Sequence, residues 1–384
     1  VVGVLYDYLI GLTIMGVLFI SAVFLVPQMS YVNLLYLDQQ QLRNIATQTL
    51  KAILLQTGYP ADWGTADPFD PDGVERFGLA ESGSSSFYVL DPDKVQRLVS
   101  DNPLGYIEYD KMRELLGLEG YSFSISIVPP FNVTIQNEVF EFNDNDVDIK
   151  LEVNVASRNG LPIANAIVES TIIYATKSGN DAALYFAVEK NSTDSLGTCV
   201  VEKHLDAPSG ETFTDVIVVF RITVADLATL VVTYQKTPPN DVAEINMVGD
   251  EIILTIPDAT PRGARWVDYI IKFDWESFAF IYNGTRSNDD KLTYGQGYKV
   301  WSRSFANLKR ENPALALFGF WAVDPGTGRR SILIVGPNPN LLGSRVLHYG
   351  GMLTSSGSSV KVQRNVVISG MVYTVELTMW KEAS

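Results

Sequence analysis

The chain has 384 residues, with 29 Lys and Arg against 44 Asp and Glu, for a formal charge of −15. That balance repels nucleic acid and anionic lipid head groups, which excludes nucleic acid as a partner. Its one cysteine, Cys199, cannot form an internal disulfide, so buried cores must hold the fold.

From Tyr8 to Val26 run 19 residues without a charge, long enough to cross a bilayer as a helix. No initiator Met and no basic segment precede the run, unlike a secretory signal that is removed. It reads as a helix exposed by a protease and retained for assembly, inserted in the inner membrane beforehand. Pro27 removes one backbone bond and predicts a kink or short gap. Beyond it Leu42, Ile45, Ala46, Thr49, Leu50, Ile53 and Leu54 recur at three- and four-residue spacing, one apolar stripe. Gly58 followed by Pro60 ends the helix. If continuous, the element is a rod of about 85 Å, so its second half must pack on something.

The apolar Val1 to Val26 segment, the amphipathic Leu34 to Thr57 extension, and the stretch Leu42-Arg43-Asn44 through Gly58-Tyr59-Pro60-Ala61-Asp62-Trp63-Gly64 resemble the type IV filament superfamily. The likeness is to archaeal pilin-like and archaellin-like subunits and covers roughly the first sixth of the chain. Leu5 stands where bacterial relatives carry glutamate. The resemblance implies cleavage by a dedicated peptidase before the helix, then bundling of many copies into a helical homopolymer. Val1, Asp7, Gly11, Gly16, Phe19, Phe24 and Pro27 are the residues expected to matter in such a helix core. The small glycines permit close approach, and the phenylalanines pack or anchor at an interface. Asp7 is the only side-chain charge before Asp38. It either pairs with the Val1 amine of a neighbouring copy or lies near the bundle's end among polar groups.

Residues 58–130 read as a mixed α/β connecting region. Asp91 caps a short helix opened by Pro92, Tyr109 to Leu116 forms a second ended by Gly117, and Ser122 to Ile127 alternates as a strand. Residues 131–236 read as all strand. Ile149, Leu151, Val153 and Val155 alternate with polar neighbours, and Val216 to Val224 and Leu227 to Tyr234 are further strands. Asn159-Gly160-Leu161-Pro162 with Asp194-Ser195-Leu196-Gly197 resembles immunoglobulin-like surface modules. Thr237-Pro238-Pro239-Asn240 marks a boundary. Residues 237–384 read as a C-terminal β-rich domain, with strands at Tyr269 to Phe273, Ser331 to Val335, Val360 to Val367 and Met371 to Met379.

The case for an enzyme is thin, and among 44 acidic residues nothing singles out a carboxylate pair of the kind a glycosidase needs. Two histidines, His204 and His348, lie far apart without a partner pattern, and Cys199 sits in a strand as a structural thiol. No phosphate-binding or dinucleotide-binding fingerprint occurs. Calcium is the one metal to weigh, at Asp67, Asp70, Asp72 and Glu75 and again at Asn143, Asp144, Asn145, Asp146 and Asp148, with solvated acidic turns as the plainer account. Sequons place N-glycosylation candidates at Asn132, Asn191 and Asn283.

The expected fold is therefore α+β, with a long helix at residues 1–57 that Pro27 kinks or interrupts by a short gap, followed by mainly β domains that include an immunoglobulin-like sandwich. The expected function is a non-enzymatic subunit of an extracellular, type IV pilus-like filament that displays β domains for adhesion to surfaces or glycans. The alternatives are a monomeric membrane-tethered surface-binding protein and, more remotely, a tethered carbohydrate-active enzyme.

Overall fold

The computed structural model describes residues 2–66, 68–100, 102, 104–143, 145–179, 181–234, 244–257, 269–273, 278–283, 291–295, 297–305, 315–323, 330–335, 346–352 and 358–382. Within the first helix, side chains are described for residues 10–21 and 37–55.

Helix α1 (Val2–Leu55) is followed by a strand β1 (Val89–Leu90), short helices α2 (Pro92–Gln96) and α3 (Tyr109–Leu116), and strand β2 (Tyr121–Val128). Seven strands come next: β3 (Asn132–Phe142), β4 (Asp146–Ala156), β5 (Ile167–Ser178), β6 (Asp181–Ser192), β7 (Thr198–Asp206), β8 (Thr212–Val224) and β9 (Leu227–Tyr234). Then come β10 (Glu244–Val248), β11 (Glu251–Pro257), β12 (Tyr269–Phe273), β13 (Phe278–Asn283), β14 (Lys291–Tyr294), β15 (Tyr298–Ser304), β16 (Leu315–Val323) and β17 (Arg330–Val335). The last are β18 (Leu347–Gly350), β19 (Ser359–Ile368) and β20 (Met371–Lys381).

The first sheet has the order β1-β19-β20-β2-β18. Strand β1 lies parallel to β19 and the other pairs are antiparallel. The amphipathic half of α1 is laid onto it. Leu42, Ala46, Leu50, Ile53 and Leu54 are all buried, in one core with Phe123, Ile125, Ile127, Val375, Leu377 and Met379. The helix could not keep that stripe in water, and the inward-facing residues of β2 and β20 supply the matching surface. Its end is closed by a neighbouring extended segment. The Leu79 and Ala80 amides donate to the Ile53 and Gln56 carbonyls at 2.8 and 3.0 Å, groups that a helix C-terminus otherwise leaves unpaired.

The close approach of that segment depends on Gly78. A Cβ there would sit 2.2 Å from the Gln56 carbonyl oxygen, while the Gly78 carbonyl accepts from Trp63 Nε1 at 3.0 Å. Gly78→Ala is expected to cost about 3 kcal/mol, read as a lowered thermal midpoint. An unchanged midpoint would show that the helix end relaxes freely.

Strands β3-β4-β7 and β6-β5-β8-β9 form two sheets closed over a second core. Val147, Ile149, Leu151, Val153 and Val155 of β4 face Val168, Ile172, Val216, Val218, Phe220 and Ile222 across it. Strand β8 is buried at every residue from Val216 to Phe220, the pattern of a strand covered on both faces. Its other face, with Ile217 and Val219, belongs to the first core. Two further sheets, β10-β11-β15-β14 and β13-β12-β16-β17, follow. Phe278 stacks on Phe186 of β6 with ring centroids 5.3 Å apart.

Four expectations are corrected. The class is mainly β, not α+β: strands hold 52% of the chain and helix 19%, and α2 and α3 are short. A long helix standing apart from consecutive β domains is not supported, because the second half of α1 is core to the first sheet. No break occurs at Pro27, where the backbone is helical on both sides. A proline forfeits one amide bond, which a long helix can absorb as local bending. The transmembrane and pilin-like features also fall: among the described residues no helix is long and apolar enough to cross a membrane, and the chain is largely strand. Strands β18, β19 and β20 return to pair with β2 and β1. The boundary expected at Thr237 to Asn240 lies outside the described residues.

Candidate functional site

Among the described residues, the longest run of exposed large apolar side chains lies on the first half of α1. Residues 10–21 are all exposed. Ile10, Leu12, Ile14, Met15, Val17, Leu18, Phe19 and Ile20 have between 54 and 73% of their surface open. These apolar residues surround the helix instead of marking one face, so a single flank of the same chain could not cover them. At Gly11 and Gly16 a Cβ would meet nothing within 4 Å, so these glycines leave shallow notches on an open rod.

The rod is fixed at its base. Asp38 pairs with Lys381 of β20, and this contact holds the ammonium above its ordinary range. Gln39 Nε2 donates to Ser358 Oγ at 3.4 Å. Behind the helix end lies a buried polar hub on and just after α2. Lys94 Nζ donates to the Thr57 and Ala80 carbonyls at 2.9 and 2.8 Å and lies 3.9 Å from Asp91 Oδ2. Asp91 Oδ1 in turn caps α2 through the Asp93 amide at 3.0 Å. Arg97 is fully buried. It donates to the carbonyls of Gly64 (3.0 Å), Ala66 (2.7 Å), Gly105 (3.2 Å) and Leu104, and its guanidinium lies 4.6 Å from the Phe69 ring centre. Asp93 and Gln96 extend the hub to the Gly249 amide and the Met247 carbonyl, each at 3.2 Å. An exposed α1 is thereby held at a set angle to the β-rich body.

Of the residues expected to carry assembly, Gly11, Gly16 and Phe19 lie on the described bare segment, with Phe19 at 70% exposure. Asp7, Phe24 and Pro27 lie on the backbone of α1, but their side chains are outside the described residues, as is Val1. Asn132 and Asn191 are exposed, at the start of β3 and near the end of β6. Thr193 of the second sequon is buried, its hydroxyl donating to the Ile163 carbonyl at 2.8 Å. Asn283 ends β13, and its side chain is outside the described residues.

The acidic loops are explained by turns. Asp70 Oδ1 accepts from the Asp72 amide at 3.0 Å, and Asp72 lies 3.5 Å from Lys111. Asp67 and Asp144 are outside the described residues. One grouping escaped the sequence. Pairing of β4 with β7 sets His204 opposite Asp148, and Asp146, Asp148 and His204 present ligand atoms within 4.8 Å of one another. The His204 Nδ1 lies 2.7 Å from Asp148 Oδ1 and its Nε2 3.3 Å from Asp206 Oδ1, so ion pairing already accounts for the arrangement.

The Asp148 hydrogen bond holds the imidazole above its ordinary range. Its stabilising contribution is therefore full below the unfolded value and is lost as pH rises through the raised one. Asp148→Asn should lower the His204 midpoint in an NMR titration, and an unmoved midpoint would assign the shift elsewhere. Burial, and then the nearby Asp194 carboxylate, push the Cys199 thiol up, which leaves it protonated and inert at neutral pH.

No family model and no curated protein matches the sequence. Among solved structures, MtrC from Shewanella baltica OS185 is 7% identical with a TM-score of 0.20, over 53% of this chain and 68% of that one. The sporulation control protein Spo0M from Bacillus subtilis is 8% identical with a TM-score of 0.17, over 58% and 91%. Neither likeness is close enough to transfer a fold or a function, and nothing in them points to the type IV filament superfamily.

Proposed function

We propose that this chain is a filament-forming surface subunit, polymerising through the first half of α1 and presenting its β-rich body outward for adhesion or surface contact. One observation carries the reading: residues 10–20 present large apolar side chains around the whole helix, on an element rigidly anchored at its other end. Apolar surface of that extent is a liability for a lone protein in water, and copies of the same helix can bury it. The geometry favours repetition, because one rod projecting from a body can pack on rods above and below it.

Asp148 and His204 on the body are exposed and paired with each other, with Asp206 beside the imidazole. Electron microscopy of the purified full chain tests the reading. Long fibres of constant diameter are expected, and a population of discrete monomers at all concentrations would refute it.

A further inference from the structure

The free edge of the first sheet beside α1 has the form of an unfilled strand position. Strand β1 meets β19 at Val367 and Ile368, and on its other side Leu90 bridges Ala80. It is preceded by Tyr88, whose φ of 63° lies in the left-handed region and turns the chain away from the sheet. The Val367 amide donates to the Tyr88 carbonyl at 2.8 Å, which fixes the parity of the edge. By the two-residue period, Asn365, Gln363 and Lys361 turn their backbone groups to the same side, where β1 no longer runs.

A groove of about 400 Å³ lies there, walled by α1 and floored by β19. Four cations line it, Arg43 and Lys51 of α1 with Lys361 and Arg364 of β19, and no carboxylate does. Lys361 meets Glu376 at 2.5 Å. Arg43, Lys51 and Arg364 have no carboxylate partner among the described residues. This concentration of positive charge stands on a chain of net −15.

We infer that this groove is a β-strand acceptor that takes an acidic extended segment from a second copy of the chain. The inference rests on the filament reading and adds a second contact to it. Like charges keep two β19 edges apart, so the groove disfavours a symmetric dimer and favours a head-to-tail contact, the kind that propagates a polymer. The chain offers a matching segment. Strand β3 is the outer strand of its sheet, is largely exposed, and carries Glu138 and Glu141, neither with a cation partner among the described residues, Glu138 accepting from the Thr233 hydroxyl at 2.7 Å. Main-chain bonds would supply affinity and the cations the choice of partner.

The test uses the full chain, with polymer measured by sedimentation at low and high salt. Arg43→Glu, Lys51→Glu and Arg364→Glu together are expected to raise the critical concentration by about tenfold at low salt and to flatten its salt dependence. All three positions are exposed, so the thermal midpoint should hold. Adding Glu138→Lys and Glu141→Lys should restore assembly. If the triple variant polymerises as the unaltered chain does, the acceptor is wrong and the filament reading stands. If the unaltered chain never polymerises, both fall. If assembly is impaired without rescue while polyphosphate binds the unaltered monomer and not the variant, the groove serves a polyanion and the inference is overturned.

Discussion

Replacing Leu12, Met15 and Phe19 with serine is expected to abolish polymer while leaving the unfolding midpoint where it was. The three residues are 70 to 73% exposed and lie at three- and four-residue spacing, along one line of the helix. Each would contribute about 1.5–3 kcal/mol if fully covered by a neighbouring copy. Their joint loss, several kcal/mol per contact, raises the critical concentration by about a thousandfold or more. The folded monomer makes no use of these side chains, and exposed positions of that kind alter stability by roughly 0.5 kcal/mol or less. Sedimentation and thermal melting on the same samples separate the two effects. Polymer that survives the triple change would remove α1 from the interface, whatever the fibres look like.

The opposite pattern is expected at Arg97. Arg97→Met keeps the buried stem and deletes the head group that bonds the Gly64, Ala66, Leu104 and Gly105 carbonyls. Those acceptors would be left dry or would have to admit water, at a cost on the order of 3–5 kcal/mol. The urea midpoint should fall with an unchanged slope, since the unfolded chain exposes the same surface. A shift below about 1 kcal/mol would mean that the loops carrying those carbonyls open to solvent without penalty. Since the hub lies behind the end of α1, the variant should also loosen the anchor, visible as faster amide exchange at Leu79 and Ala80.

Periodicity revealed the parts of this fold that a single element can encode. The alternation from Ile149 to Val155 became β4, the stripe from Leu42 to Leu54 became core, and Asp91, Pro92 and Gly117 set helix limits where their backbone preferences require. What stayed hidden were long-range choices. Nothing in the repeat of β20 says that its neighbours are β19 and the distant β2, because alternation specifies a face and not a partner. His204 looked solitary for the same reason, as its contact with Asp148 exists only through the register of β4 on β7. Lys94 and Arg97 are buried through carbonyls distant in the chain, those of Thr57 and Ala80 and of Gly64 and Ala66. The spacing of Asp91 and Lys94 was the sole local hint of burial, and it is common on exposed helices too. Pro27 opens no gap, since its covalent constraint weakens a helix without obliging it to end.

The placement of β20 has a consequence for biogenesis. Its central position between β19 and β2 means that the sheet supporting α1 stays open until residues after Met371 have been made. The second core, between β3-β4-β7 and β6-β5-β8-β9, can form as its strands emerge from the ribosome, whereas the helix stripe from Leu42 to Leu54 must wait for the last strands. A nascent chain therefore carries two greasy surfaces, the stripe from Leu42 to Leu54 that its own tail hides and the exposed run from Ile10 to Ile20. Interrupted translation would leave both bare, marking the fragment for chaperones or proteolysis.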